Sequence, residues 1–256
     1  MKKLLLLLFC LLLACPALAE TAPEAGPLPV AEPLSGVACW PDGSDEQTAR
    51  YVYRYDYPRA AGTDDVSVMI NTYYDYIVND AVGFGVPIMG ESLEPSEIQS
   101  TTTVHSEITC NNDRFFSIKI VTENILGAAA AVTYSGNTFA RTGAKAGTII
   151  SLPYLLGILD EEESDPWMQE RQTAKADECV RNLVWEIIAE QQASGTVAYY
   201  DDLTYDDFAA DFYPEEDFYL DADGNPVFFV QESILAPAAE GTLLFPFTME
   251  ELLDEI

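Results

Sequence analysis

A chain of 256 residues with 48% apolar and 11% aromatic side chains can bury one large core or two small ones, which excludes a disordered tail. Its 43 Asp and Glu against 12 Lys and Arg leave a formal charge of −31, and that field repels nucleic acid and anionic membrane surfaces. Basic proteins and cell-wall components remain as partners.

The first residues carry a targeting pattern. Met1, Lys2 and Lys3 precede an apolar run from Leu4 to Leu13, and Ala17-Leu18-Ala19 places small residues where a leader is cut. Residues 1–19 therefore read as a secretory signal peptide, with the mature chain beginning at Glu20 and working outside the cytoplasm, secreted or at the cell surface. The apolar segment falls short of the roughly 20 residues a spanning helix needs. Leu12-Leu13-Ala14-Cys15 also resembles a bacterial lipobox, which would make Cys15 a lipidated first residue and the only membrane tether. Leu13 and Pro16 fit that signal less well than Ala17 and Ala19 fit cleavage. Cys39, Cys110 and Cys179 then remain, an odd number that allows at most one intramolecular disulfide.

Residues 20–36, with Pro23, Pro27, Pro29 and Pro33, read as an extended Pro/Ala-rich spacer. "RYVYRYDYPRA" alternates as a strand does, and Val66 to Val82 places Val68, Ile70, Tyr73, Ile77 and Val78 on helical spacing. Thr101–Cys110 and Phe115–Glu123 alternate on either side of "NND" and predict an antiparallel pair. "AAVTYSGNTFARTG" predicts another pair turning near Ser135-Gly136-Asn137. Asp165-Pro166 opens the longest helix, with Trp167, Ala174, Leu183, Ile187 and Ile188 on its apolar face, and Gly195 closes it. Glu161, Glu162 and Glu163 precede that helix and complement its positive end. The fold class expected is α+β, antiparallel sheets packed with helices, in two consecutive strand-and-helix units over residues 37–151 and 152–256.

The stretch Tyr199–Asn225 holds ten carboxylates, eight aromatic rings and no basic residue. Thr204 and Asp207 have the spacing of a capping box, and Phe208 with Phe212 gives a short helix an apolar side before Pro214. "DFYLDADGNPVFFVQE" alternates about Ala222-Asp223-Gly224-Asn225 and predicts a hairpin. A calcium loop fails there: aligning Asp221, Asp223 and Gly224 with its third, fifth and sixth positions puts Tyr219 and Val230 where ligands must stand. The dense cluster Asp201, Asp202, Asp206, Asp207, Glu215 and Glu216 is the candidate surface for a cationic partner, against the plainer alternative of a solubilising coat.

Catalytic signatures are missing from the sequence. His105 is its one histidine, on a polar strand face opposite Cys110, and there is no G-x-S-x-G, H-E-x-x-H, paired C-x-x-C or phosphate-cradling loop. No metal, cofactor or catalytic residue is assigned. Hydrolysis by two carboxylates needs only a suitable pair, so an envelope hydrolase acting on cell-wall glycan stays as the alternative function.

Several pieces together resemble a known family. Tyr57-Pro58 before "VSVMINTYY", then "FFSIKI", "TFARTGAK", "ISLPYLL" and, most specifically, "DFYLDADGNPVFFVQESILAPAAEGTLLFPFTMEEL" are similar to the RsiV-like extracytoplasmic bacterial domains, related to the lysozyme-sensing ectodomain of the anti-sigma factor RsiV. The resemblance spans roughly Tyr51 to the C-terminus. It implies an α+β fold and a binding habit, with a basic protein such as lysozyme as the first candidate, and it does not supply an active site. Gly127-Ala128-Ala129-Ala130-Ala131 stands where relatives often carry Gly-Gly-Ala-His-Gly, so that histidine's role does not carry over. With only Met1 to Lys3 ahead of the apolar run, no sigma-binding segment is expected either.

Overall fold

The computed structural model describes residues 26–93, 99–160 and 163–256. The leader, the cleavage site, Cys15, Glu161 and Glu162 lie outside the described residues. Two sheets and their helices make an α+β fold.

The first sheet has five strands in the order β1 (Val30–Trp40), β2 (Tyr51–Ala60), β3 (Ser100–Asn111), β4 (Phe115–Leu126) and β5 (Ala129–Ala140). Its pairs are antiparallel except β2 with β3. That parallel pair requires a crossover, supplied by α1 (Asp65–Asp80), a π-helical turn (Ala81–Gly85) and α2 (Val86–Ser92). Ile70, Tyr74 and Val78 of α1 pack on Tyr53, Tyr57, Ile118 and Phe139 of the sheet. Tyr74 stacks on Tyr57 with ring centroids 5.2 Å apart.

The second sheet is β6 (Phe218–Leu220), β7 (Pro226–Val230) and β8 (Leu243–Pro246), antiparallel throughout. Its apolar faces are covered on both sides. Phe228, Val230 and Phe245 join α4 (Pro166–Ser194), α5 (Tyr205–Asp211), α6 (Met249–Glu255) and the short α3 (Leu152–Leu155) in one core. On the other side Tyr219, Val227 and Phe229 meet Tyr134 of β5. The positions of β6 and β7 are therefore continuously buried, as strands between two layers must be, while the outer strand β8 alternates.

Three expectations need correction. From Val30 onward the segment read as a spacer is an edge strand, paired from Val30 with Ala60 to Trp40 with Tyr51. Its prolines are compatible because Pro33 falls in the register break between Ala31 and Leu34, where an edge tolerates a missing donor. Residues 129–140 form one unbroken strand, not a hairpin turning at Gly136. Gly136 is a point of close approach: a Cβ there would lie 1.7 Å from the carbonyl oxygen of Phe218. The helix faces hold in part: Ile70, Val78 and Ile188 are buried and Tyr73, Ile77, Leu183 and Ile187 pack against the cores, while Val68, Trp167 and Ala174 do not. In α1, Tyr74 is buried and Val68 is exposed. In α4, Ala176, Val180, Val184 and Ile188 make the buried stripe, while Trp167 is 80% exposed because the first turns of the helix reach past the core. Cys39, Cys110 and Cys179 are all free thiols, within the expected limit of at most one disulfide.

Candidate functional site

The acidic segment is held by its aromatic side. Thr204 caps α5 through the reciprocal bonds expected of a capping box, with Asp207 Oδ2 accepting from the Thr204 backbone N–H at 3.0 Å. Those bonds hold the Asp207 carboxyl below its ordinary range. One turn on, Phe208 and Phe212 are fully buried and stacked, centroids 5.1 Å apart, and Trp185 of α4 stacks on Phe208 at 5.8 Å. With this side pinned, Asp201, Asp202, Asp206 and Glu216 are turned to solvent.

The other two predicted residues are committed to the protein itself. Asp207 is the cap, and Glu215 is half-buried, with its Oε1 enclosed and without a hydrogen-bond partner. Its charge acts on Asp177 of α4, a residue the sequence did not single out. Burial first, then the Glu215 charge, pushes the Asp177 carboxyl up to about 6, although Arg181 pulls it down. Arg181 lies 3.7 Å from Asp177 Oδ2 and donates to the Phe212 carbonyl through Nε and Nη2 at 3.3 and 3.2 Å. The Asp177-Arg181 spacing was visible as a helical pair. That the Glu215 charge reaches it depends on how the α5–β6 turn folds back, which no local pattern records. Asp217, in the same turn, accepts from the Tyr213 N–H at 2.9 Å, and burial raises its carboxyl to about 6.

The other features assemble no catalytic constellation among the described residues. Asp221 Oδ1 accepts from the N–H groups of Asp223 and Asn225 at 3.0 and 2.9 Å, so the hairpin turn consumes the carboxylate that a calcium loop would use. Among the described residues, no group of three His, Cys, Asp or Glu is placed to hold a metal ion. His105 is exposed on β3, and Glu107 pairs with Lys119 at 2.6 Å. A cleft of about 610 Å³ opens between the β3–β4 turn, the end of β5 and the segment after α3. Arg114, Thr142, Tyr154 and Asp160 line it; neither Asp177 nor Glu215 does. No helix of the described residues is long and apolar enough to cross a membrane.

No protein-family model matches the chain, and no curated protein matches it. Solved structures do. A DUF3298 family protein from Pseudomonas aeruginosa PAO1 superposes over 90% of this chain and 94% of its own, with TM-score 0.53 and 13% identity. The chain shares its fold with that protein. A DUF3298 family member from Bacteroides fragilis NCTC 9343 superposes over 89% of this chain and 93% of its own, with TM-score 0.46 and 13% identity.

Proposed function

We propose that this is an extracytoplasmic, non-enzymatic binding protein of the RsiV-like type, which engages a cationic protein of the lysozyme kind through its acidic face. The observation that carries the proposal is the division of labour along residues 199–217. Buried aromatics fix the segment, and Asp201, Asp202, Asp206 and Glu216 present unpaired carboxylates to solvent. A rigid acidic face is pre-ordered for a basic partner and gives up little conformational entropy on association. The leader-like residues 1–19 put this face outside the cytoplasm, where such partners and cell-wall components are met. The similarity of residues 217–252 to RsiV-like domains points the same way.

The rival, a glycan hydrolase with paired carboxylates, draws on Asp177 and Glu215. One oxygen of each is enclosed and neither residue lines the cleft, so the cleft does not bring a glycosidic oxygen to them. The test is a calorimetric titration of lysozyme, with cytochrome c as an equally basic control, at low and at physiological salt. Lysozyme binding should survive physiological salt, where the Debye length is about 8 Å, while cytochrome c binding is lost. Equal behaviour of the two proteins would reduce the acidic face to a solubilising coat.

A further inference from the structure

The two edges of the five-stranded sheet are finished differently. At β5 the Gln231 and Glu232 side chains bond the Tyr134 and Val132 backbone, as a further strand would. At β1 no group among the described residues does this. The direction of each β1 backbone group follows from its neighbours. The Ser100 N–H donates to the Arg50 carbonyl at 2.9 Å, so Arg50 and Val52 turn their backbone groups to β3, and Tyr51, Tyr53 and Tyr55 turn theirs to β1. These face Trp40, Ala38 and Gly36. Ser35, Val37 and Cys39, which alternate with them, therefore point their N–H and C=O groups away from the sheet. Ser35 and Val37 are exposed and Cys39 is half-buried.

An edge strand is ordinarily protected by charge, proline or a bulge. β1 has such protection at one end, where Pro33 falls in the register break between Ala31 and Leu34, but from Leu34 to Trp40 every residue is uncharged. Leu34, Ala38 and Trp40 are only partly buried against the core beneath the sheet, so the margin of that core stays half-open along the same edge. The ends of the strand are acidic. Exposed Glu32 lies at one end, and exposed Asp42, Asp45 and Glu46 follow the other. The Glu46 and Asp45 charges reach Cys39, opposed by Arg54, which is itself paired with Glu46 at 2.8 Å.

We infer that the β1 edge from Ser35 to Cys39 binds an extended peptide segment of another protein as an added strand, apolar at alternate positions and basic at its ends.

Only extended backbone presents donors and acceptors at the spacing of Ser35, Val37 and Cys39; those bonds supply affinity, and alternate side chains supply selectivity. One set of those side chains falls beside Leu34, Ala38 and Trp40 and closes the core margin. A second copy of the chain is the poorer occupant, because two bodies of formal charge −31 repel. In an antiparallel pair of β1 strands the acids at each end would also meet acids of the other copy. The edge is separate from the acidic segment 199–217, and its test does not rest on lysozyme binding.

The probe is a blocked peptide of alternating valine and threonine with lysines at both ends. It is titrated into the protein at physiological salt while backbone amides are followed by NMR and hydrogen exchange. The Ser35, Val37 and Cys39 amides should exchange freely without peptide and become protected with it. Methylating alternate backbone nitrogens along one edge of the peptide should weaken binding about tenfold or more, and methylating those along the other edge should not. Glutamates in place of the lysines should also weaken it about tenfold. Val37→Pro removes an outward donor without touching a bond to β2 and should lower affinity about tenfold, whereas Val37→Thr, which keeps the donor, should bind as the parent does. Outward amides already protected in the free monomer would mean that the chain covers its own edge. Protection that appears only with dimerisation in sedimentation would mean that a second copy does, and either result overturns the proposal. So would a peptide that fails to bind, that shifts only residues 199–217, or that tolerates methylation on both edges.

Discussion

At Gly136 the absence of a side chain is what lets the two sheets touch. The Phe218 carbonyl occupies the place a Cβ would take, and the listener on the other sheet is backbone, which cannot rotate away as a side-chain tip can. Gly136→Ala should therefore force β5 and β6 apart and cost about 1–3 kcal/mol, the usual range for overpacking. Urea unfolding measures it; an unchanged midpoint would mean the contact is looser than its geometry. From the sequence this glycine looked like a turn, because glycine marks both turns and close approaches and only the partner distinguishes them. Asp217 gives the pH counterpart. Burial raises its carboxyl to about 6, with the Tyr213 N–H opposing and Glu216 adding a little. A folded value above the unfolded one means stability gained as pH falls through about 6 and lost as pH rises through it. On acidification from neutral pH to pH about 5, the melting midpoint of Asp217→Asn should rise less than that of the parent, by roughly 2–4 °C if screening leaves about 1 kcal/mol of the effect. Equal rises in both proteins would count against a buried Asp217.

Among the elements, β5 shows how an edge strand is closed. Gln231 imitates a neighbouring strand, accepting from the Tyr134 N–H and donating to the Tyr134 carbonyl, both at 2.8 Å. Glu232 accepts from the Val132 N–H at 2.9 Å. These bonds satisfy backbone groups that an open edge would offer to another chain. Gln231→Ala should cost about 1–3 kcal/mol and speed amide exchange at Tyr134, leaving α1 amides unchanged. Uniform acceleration across the protein would indicate a global loss of stability instead. The ends of elements were readable from sequence because their signals are local: Asp165 and Gly195 bound α4, and the Thr204 box opens α5. Their buried faces were less so. Trp167 has the chemistry of a core residue, yet the helix carries it beyond anything it could pack against. Gln231 and Glu232 gave no sign of their role, since their partners are 97 and 100 residues away.

At the scale of the whole molecule, an α+β fold shared with a DUF3298 family protein carries a charge of −31, with 43 acids to place. That excess could be a uniform coat, and net charge alone cannot distinguish a coat from a site. The structure separates the acids by what they do. Asp207 caps, Glu215 and Asp217 are partly enclosed, and Asp201, Asp202, Asp206 and Glu216 are exposed to solvent. The sequence showed where the acids were dense; which of them were available depended on the packing of Phe208 and Phe212 and on the fold of the α5–β6 turn. The most direct measurement is the dissociation constant for lysozyme at physiological salt in two variants of equal net charge. One neutralises Asp201, Asp202, Asp206 and Glu216; the other neutralises Glu32, Asp42, Asp80 and Glu91, exposed acids outside that segment. The acidic-face variant should bind at least tenfold more weakly than the parent, a loss of about 1.4 kcal/mol, and the control should stay near the parent value. Equal weakening in both variants, or none in either, would contradict a binding site on this face.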